Sequence, residues 1–257
     1  MAREKGKAIA VFSTKGGVGK TIFTLNLGGT YSLLKKKTLI IDLDLYSGGI
    51  ALSLNLKQTK DIYNLALDLN NNRYKEFNDY TLKYNDYLDV LACPKDPRQG
   101  SKIENKYIEI ILANALNLYD VVLIDTSHVL NEINLTALSK VDKITLLLSN
   151  DPVDVKNMKS MISILKDSNF DNYIVILNDA LKRDKDIFGV FEIKNIIKNN
   201  IDYTIPPSFY FKNIDSFTLK GEIPLLNKRI RRLKYKDYDR YQRIADFLID
   251  ARKEDEY

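Results

Sequence analysis

Cysteine and histidine occur once each in the 257 residues, as Cys93 and His128, which excludes an internal disulfide and leaves no ligand cluster for a zinc ion. A chain so poor in cysteine is expected in a reducing compartment, the cytoplasm. Nowhere does an apolar run approach the roughly 18 residues that a membrane-spanning helix needs. The polar start, Met1 to Lys7, leads straight into an apolar run, so no secretory leader is expected. Internal repeats and low-complexity linkers are missing too. The charge excess is small, a net +5, so local clusters rather than global charge carry the electrostatic reading.

What is present is an alternation. Apolar runs of strand length recur at 8–12, 38–41, 88–91, 121–124, 143–148 and 173–177. Between them lie helix-compatible stretches at 21–34, 103–117, 134–138 with its neighbours, 153–166 and 187–199, and a polar loop at 70–73. The pattern predicts an α/β fold of three layers, a mostly parallel twisted sheet with helices on both faces. Length and a hydrophobic content of 45% suit one domain over residues 1–257, with 250–257 as a solvated tail.

Residues 13–21 read Ser-Thr-Lys-Gly-Gly-Val-Gly-Lys-Thr, between the run at 8–12 and a helical stretch continuing from Ile22. Strand, glycine loop and helix are the context of a phosphate-binding loop. Its cradle comprises Gly16, Gly17, Val18, Gly19, Lys20, Thr21 and Ile22. Backbone N–H groups freed by the glycines close around phosphate oxygens, and the helix N-terminus adds a favourable dipole. Lys20 then reaches the outer phosphates and the Thr21 hydroxyl is placed to ligate Mg²⁺. The strict pattern has glycine where this chain has Thr14.

Two acidic positions follow strands. The run at 38–41 ends in Asp42-Leu43-Asp44, at the strand end where ligands of parallel α/β sheets bind. A period of two sets both carboxylates on one side of an extended chain; a turn cap is the other reading of Asp42. The run at 121–124 ends in Asp125, the Walker B arrangement, whose carboxylate holds Mg²⁺, often through a water.

Lys15 sharpens the reading. Lys-Gly-Gly-Val-Gly-Lys-Thr resembles the deviant Walker A motif of the ParA/MinD family of dimeric P-loop ATPases. The resemblance implies ATP and Mg²⁺ as cofactors, a homodimer in the ATP state, and slow hydrolysis until a ParB-like or equivalent partner protein activates it. It implies further that Lys15 acts in trans on the partner's phosphates, that Asp42 joins Thr21 and Asp125 near the metal, and that Asp44 orients the attacking water. Lys15, Lys20 and Asp44 then form the catalytic set. Asp125-Thr126-Ser127-His128 departs from the family's Asp-Thr-Pro-Pro continuation. Asn178, and Pro206 within Tyr203-Thr204-Ile205-Pro206-Pro207, resemble the family's adenine pocket, and 217–224 resembles its later glycine-proline segment.

Cargo must be read from surfaces. Lys228, Arg229, Arg231, Arg232, Lys234, Lys236, Arg240 and Arg243 form the densest basic cluster. If the chain is helical from Ile230, Lys228, Arg232, Lys236 and Arg240 make an i, i+4 stripe while Leu233, Tyr241, Ile244 and Leu248 face the core. With Arg231, such a stripe suits nonspecific DNA, as in partitioning relatives; a solvated amphipathic helix is the other reading. The acidic Glu254-Asp255-Glu256 weighs against the membrane attachment and division-site role of MinD-like relatives. Asp42-Leu43-Asp44-Leu45 resembles instead the CpaE/TadZ-like branch that localises pilus or secretion machinery. A slowly hydrolysing nucleotide-dependent scaffold is the remaining alternative.

Overall fold

The apolar runs become strands because both of their faces are covered. In chain order the elements are Lys7–Phe12 (β1), Lys20–Leu33 (α1), Thr38–Leu43 (β2), Ile50–Ser53 (α2), Ile62–Asn70 (α3), Leu82–Asn85 (β3), Leu88–Leu91 (β4), Asn105–Leu118 (α4) and Val121–Thr126 (β5). They continue with Glu132–Ser139 (α5), Lys143–Leu148 (β6), Pro152–Asp167 (α6), Tyr173–Asn178 (β7), Val190–Ile197 (α7), Tyr203–Ile205 (β8), Ile214–Lys220 (α8), Lys228–Leu233 (α9) and Tyr235–Ile249 (α10). These come from a computed structural model that describes residues 4–180, 187–209 and 214–250. The acidic end of the predicted tail, 251–257, lies outside the described residues.

The strands form one sheet in the order β3-β4-β2-β5-β1-β6-β7-β8. Only the β3–β4 pair is antiparallel. Along each central strand the side chains alternate between two cores. Ala8, Ala10 and Phe12 of β1 join the core beneath α4 to α7, whereas Ile9 and Val11 join the core beneath α1 and α10. Burial on both faces is why these strands read as unbroken apolar runs rather than as alternating ones. The expected three-layer α/β fold is therefore the observed one.

The carboxyl end of the chain closes the α1 layer. Tyr31 Oη donates to the Ala245 carbonyl at 2.8 Å, and the rings of Phe23 and Tyr241 lie 5.6 Å apart. Asn26 Oδ1 accepts from Leu225 N at 3.2 Å, so the segment after α8 is fastened to the same helix. No helix among the described residues is long and apolar enough to cross a membrane.

Two expectations about elements need correction, and one element was not expected. The segment from Ile230 is not one helix: α9 ends at Leu233 and α10 starts at Tyr235, with Lys234 between them at φ −115°, ψ 44°. The break takes Leu233 out of register with the core, leaving it 71% exposed, while Tyr241, Ile244 and Leu248 are buried as expected. The helix expected over 187–199 is shortened to α7, since Gly189 starts it and Lys198, at φ 53°, turns the chain out of helical geometry. Helix α3 was not expected, although its start is written in the sequence: Asp61 and Asn64 cap each other's backbone N–H groups reciprocally.

Candidate functional site

The glycine loop emerges from the carboxyl end of β1, flanked by β5 and β6. Gly19 precedes α1 at φ 91°, a left-handed conformation that glycine adopts without strain and that turns the loop into the helix. Lys20 Nζ folds back over the loop and donates to Ser13 Oγ at 2.9 Å, and Ser13 Oγ donates to the Lys15 carbonyl at 2.8 Å. Burial pushes the Lys20 ammonium below its ordinary pKa, while Asp125, Asp44 and Asp154 oppose the shift. A partly desolvated ammonium folded over a glycine loop is suited to receive a polyphosphate.

Asp42 and Asp125 are direct neighbours across the β2–β5 pair and both are buried. Asp125 Oδ2 accepts from Thr21 Oγ1 at 2.7 Å and its Oδ1 accepts from Thr24 Oγ1 at 3.1 Å. Asp42 accepts backbone N–H groups instead, from Asp44 at 3.2 Å and Ile50 at 3.1 Å. The loop after β2 thus wraps the Asp42 carboxylate. A Cβ at Gly48 would stand 2.5 Å from both Asp42 oxygens, so only glycine fits there. Burial raises the pKa of Asp42, and repulsion from Asp125 adds to it; burial also raises that of Asp125, against the Thr21 hydrogen bond and Lys20.

Two neighbouring buried carboxylates that resist ionisation, with a threonine hydroxyl touching one, suit a hard divalent cation. Mg²⁺ is held by one or two carboxylates together with phosphate oxygens and water. Among the described residues there is no group of three or more His, Cys, Asp or Glu side chains to favour another metal. Thr21, Asp42 and Asp125 are the residues that would hold it. Asp44 stands just beyond β2, half-buried, with its carboxylate accepting from Ser47 N at 3.2 Å.

The first turn of α6 grips the loop from the other side, which the sequence reading did not foresee. Lys15 Nζ pairs with Asp151 Oδ2 at 2.8 Å. Thr14 Oγ1 donates to Asp154 Oδ1 at 2.9 Å, and Asp154, fully buried, also accepts from Ser149 N at 2.8 Å and Ser149 Oγ at 2.7 Å. Threonine in place of the pattern's glycine is therefore an anchor. The available signal was Ser149-Asn150-Asp151-Pro152-Val153-Asp154, a capped helix start directly after a strand.

Asn178 and Pro206 are brought together by the β7–β8 pair, in which Asn178 faces Ile205. Asn178 Nδ2 donates to the Val18 carbonyl at 2.9 Å, and its Oδ1 accepts from Ala180 N at 3.1 Å. Both halves of the amide are engaged, one of them on the glycine loop itself. The basic stripe, by contrast, is divided. Lys228 and Arg232 lie on α9, Lys236 and Arg240 on α10. Arg231 Nη1 donates to the carbonyls of Leu225 at 2.8 Å and Leu226 at 2.9 Å, and Arg240 donates to the Thr204 carbonyl. These two guanidinium groups are spent on backbone, whereas Lys228, Arg229, Arg232 and Lys236 are exposed.

Comparison with known proteins points the same way as the geometry. A family model described as an AAA domain matches residues 6–182. The chromosome-partitioning ATPase Soj of Treponema pallidum is 23% identical over 227 residues, covering 79% of this chain and 87% of the relative. A ParA family ATPase from Chlorobium tepidum TLS matches in structure with a TM-score of 0.79 at 15% identity, covering 93% of this chain and 98% of that one. The septum site-determining protein MinD of Pyrococcus horikoshii OT3, complexed with Mg-ADP, matches with a TM-score of 0.75 at 19% identity, covering 95% and 96%.

Proposed function

The chain belongs to the ParA/MinD family of P-loop ATPases, and on that premise we propose that it is a Mg²⁺-dependent ATP switch that dimerises with ATP and positions cargo in the cytoplasm. The observation that carries the reading is the convergence of Lys20, Thr21, Asp42 and Asp125 on one end of the sheet, with Lys15 held beside them. Glycine-loop N–H groups and Lys20 bind the polyphosphate, and Thr21, Asp42 and Asp125 hold the metal. When bound, the metal offsets charge on the phosphates. Asp44, on the loop that wraps Asp42, orients the attacking water. Lys15 leaves Asp151 for the phosphates of a second copy, and turnover stays slow until a partner protein acts.

DNA is the first cargo reading, supported by the exposed Lys228, Arg229, Arg232 and Lys236. Localisation of a protein assembly such as a pilus or secretion machine is the second. It is favoured by the commitment of Arg231 and Arg240 to backbone carbonyls and by the Asp42-Leu43-Asp44-Leu45 loop. Binding to nonspecific duplex DNA with ATP, ADP and no nucleotide, over a salt series, separates the two. ATP-dependent binding that weakens steeply with salt supports DNA partition. Absence of binding in all three states contradicts it and leaves the protein-cargo reading.

A further inference from the structure

The loop between β5 and α5 carries the only histidine of the chain, and the arrangement around it assigns that residue a task. His128 is exposed, yet its ring rests on the glycine loop: Nδ1 and Cε1 lie 3.6 and 3.7 Å from where a Cβ on Gly16 would stand. Which end of the cradle this is follows from Lys20. A P-loop lysine serves the outer phosphates, and the Lys20 ammonium lies at Ser13, 2.9 Å from its hydroxyl. The outer-phosphate end is therefore bounded by residues 13 to 16, and His128 overhangs that rim.

The loop that presents the imidazole is fixed on both sides of it. Asn134, fully buried, donates through Nδ2 to Ser127 Oγ at 2.8 Å and to the Val129 carbonyl at 2.7 Å. Val129 N donates to Ser127 Oγ at 3.3 Å, and Asn134 N donates to Asn131 Oδ1 at 2.9 Å. Residues 127 and 129 are thereby pinned to α5 while residue 128 projects between them. A side chain on a pre-set backbone loses little freedom when it makes a contact. Imidazole offers an N–H donor in either tautomer, and a donor at this rim meets a phosphate oxygen that a nucleoside triphosphate has and a diphosphate lacks. Lys15, whose ammonium also stands near the rim, is paired with Asp151 within the chain.

We infer that His128 is a specificity-determining residue which donates a hydrogen bond to the terminal phosphate of the bound nucleotide, so that the switch distinguishes tri- from diphosphate. The inference rests on the nucleotide site proposed above and deepens it.

A single histidine makes the test direct, because the full chain gives one imidazole signal by NMR. That signal is followed while Mg²⁺ with ADP, or Mg²⁺ with the slowly hydrolysed ATPγS, is added. Affinities for both nucleotides are measured in parallel for the parent, His128→Ala and His128→Gln. ATPγS is expected to move the imidazole signal well beyond the shift that ADP produces. His128→Ala should weaken ATPγS binding about tenfold, the scale of a hydrogen bond to a charged group, and leave ADP binding within about twofold. His128→Gln, which keeps a donor, should recover part of the loss. Identical imidazole shifts with the two nucleotides, or an unchanged affinity ratio in His128→Ala, would overturn the inference alone. A parent protein that binds neither nucleotide would overturn both the inference and the site beneath it.

Discussion

Asp154 shows how much of this site is settled by single side chains out of sequence reach of the glycine loop. Its carboxylate is fully buried and takes hydrogen bonds from Thr14, 140 residues away, and from Ser149. Asp154→Ala strands a buried hydroxyl and a buried N–H, and each such group costs roughly 1–3 kcal/mol. The variant should lose about 2–4 kcal/mol in denaturant unfolding. A loss under 0.5 kcal/mol would show that the anchor is dispensable. Asp42 and Asp125 lead to a second expectation, in pH. Both carboxyls have pKa values raised by burial, so between the ordinary carboxylate value of about 4 and the raised values the folded chain holds more protons than the unfolded one. Stability then falls as pH rises through that window. The nucleotide-free protein should melt lower at pH 8 than at pH 6, and Mg²⁺ with ATP should shrink the difference. A melting temperature that rises across the same range would contradict the burial of these two groups.

At the scale of elements, the central strands were legible because burial on both faces leaves contiguous apolar runs. The runs ending at Ile41 and Ile124 continue as strands to Leu43 and Thr126, and so carry Asp42 and Asp125. The glycine loop was legible because its chemistry is contiguous too. The first turn of α6 was not, since Asp151 and Asp154 gain their meaning only from Lys15 and Thr14 across the fold. Nor was the α9–α10 break: helical periodicity runs through Lys234, and nothing local announces that Arg231 will turn inward to cap two carbonyls. That capping can be measured. Arg231→Ala removes both hydrogen bonds and the guanidinium over the Tyr238 ring, and should cost about 1–3 kcal/mol. Arg232→Ala, at an exposed position, should stay within about 0.5 kcal/mol. Equal losses in the two variants would remove the distinction between structural and free arginines on α9.

Across the whole molecule, the elements converge on one end of the sheet, where α1, the loop after β5 and the first turn of α6 meet the glycine loop, and Asp44, on the loop after β2, acts electrostatically on Lys20. The nucleotide proposed to bind there would lie among these elements, and so would give a small ligand leverage over a large surface. In the dimer proposed above, the Lys15–Asp151 pair, partly exposed and formed within one chain, would give way to the phosphates of a second copy. That exchange is the central step of the proposed switch. It is tested most directly by the solution mass of the Asp44→Ala protein with Mg²⁺ and ATP, with Mg²⁺ and ADP, and with Lys15→Ala added to the ATP sample. Twice the 29.6 kDa chain mass is expected with ATP, and the single-chain mass both with ADP and when Lys15 is removed. A single-chain mass with ATP, or a dimer indifferent to nucleotide and to Lys15, would contradict it.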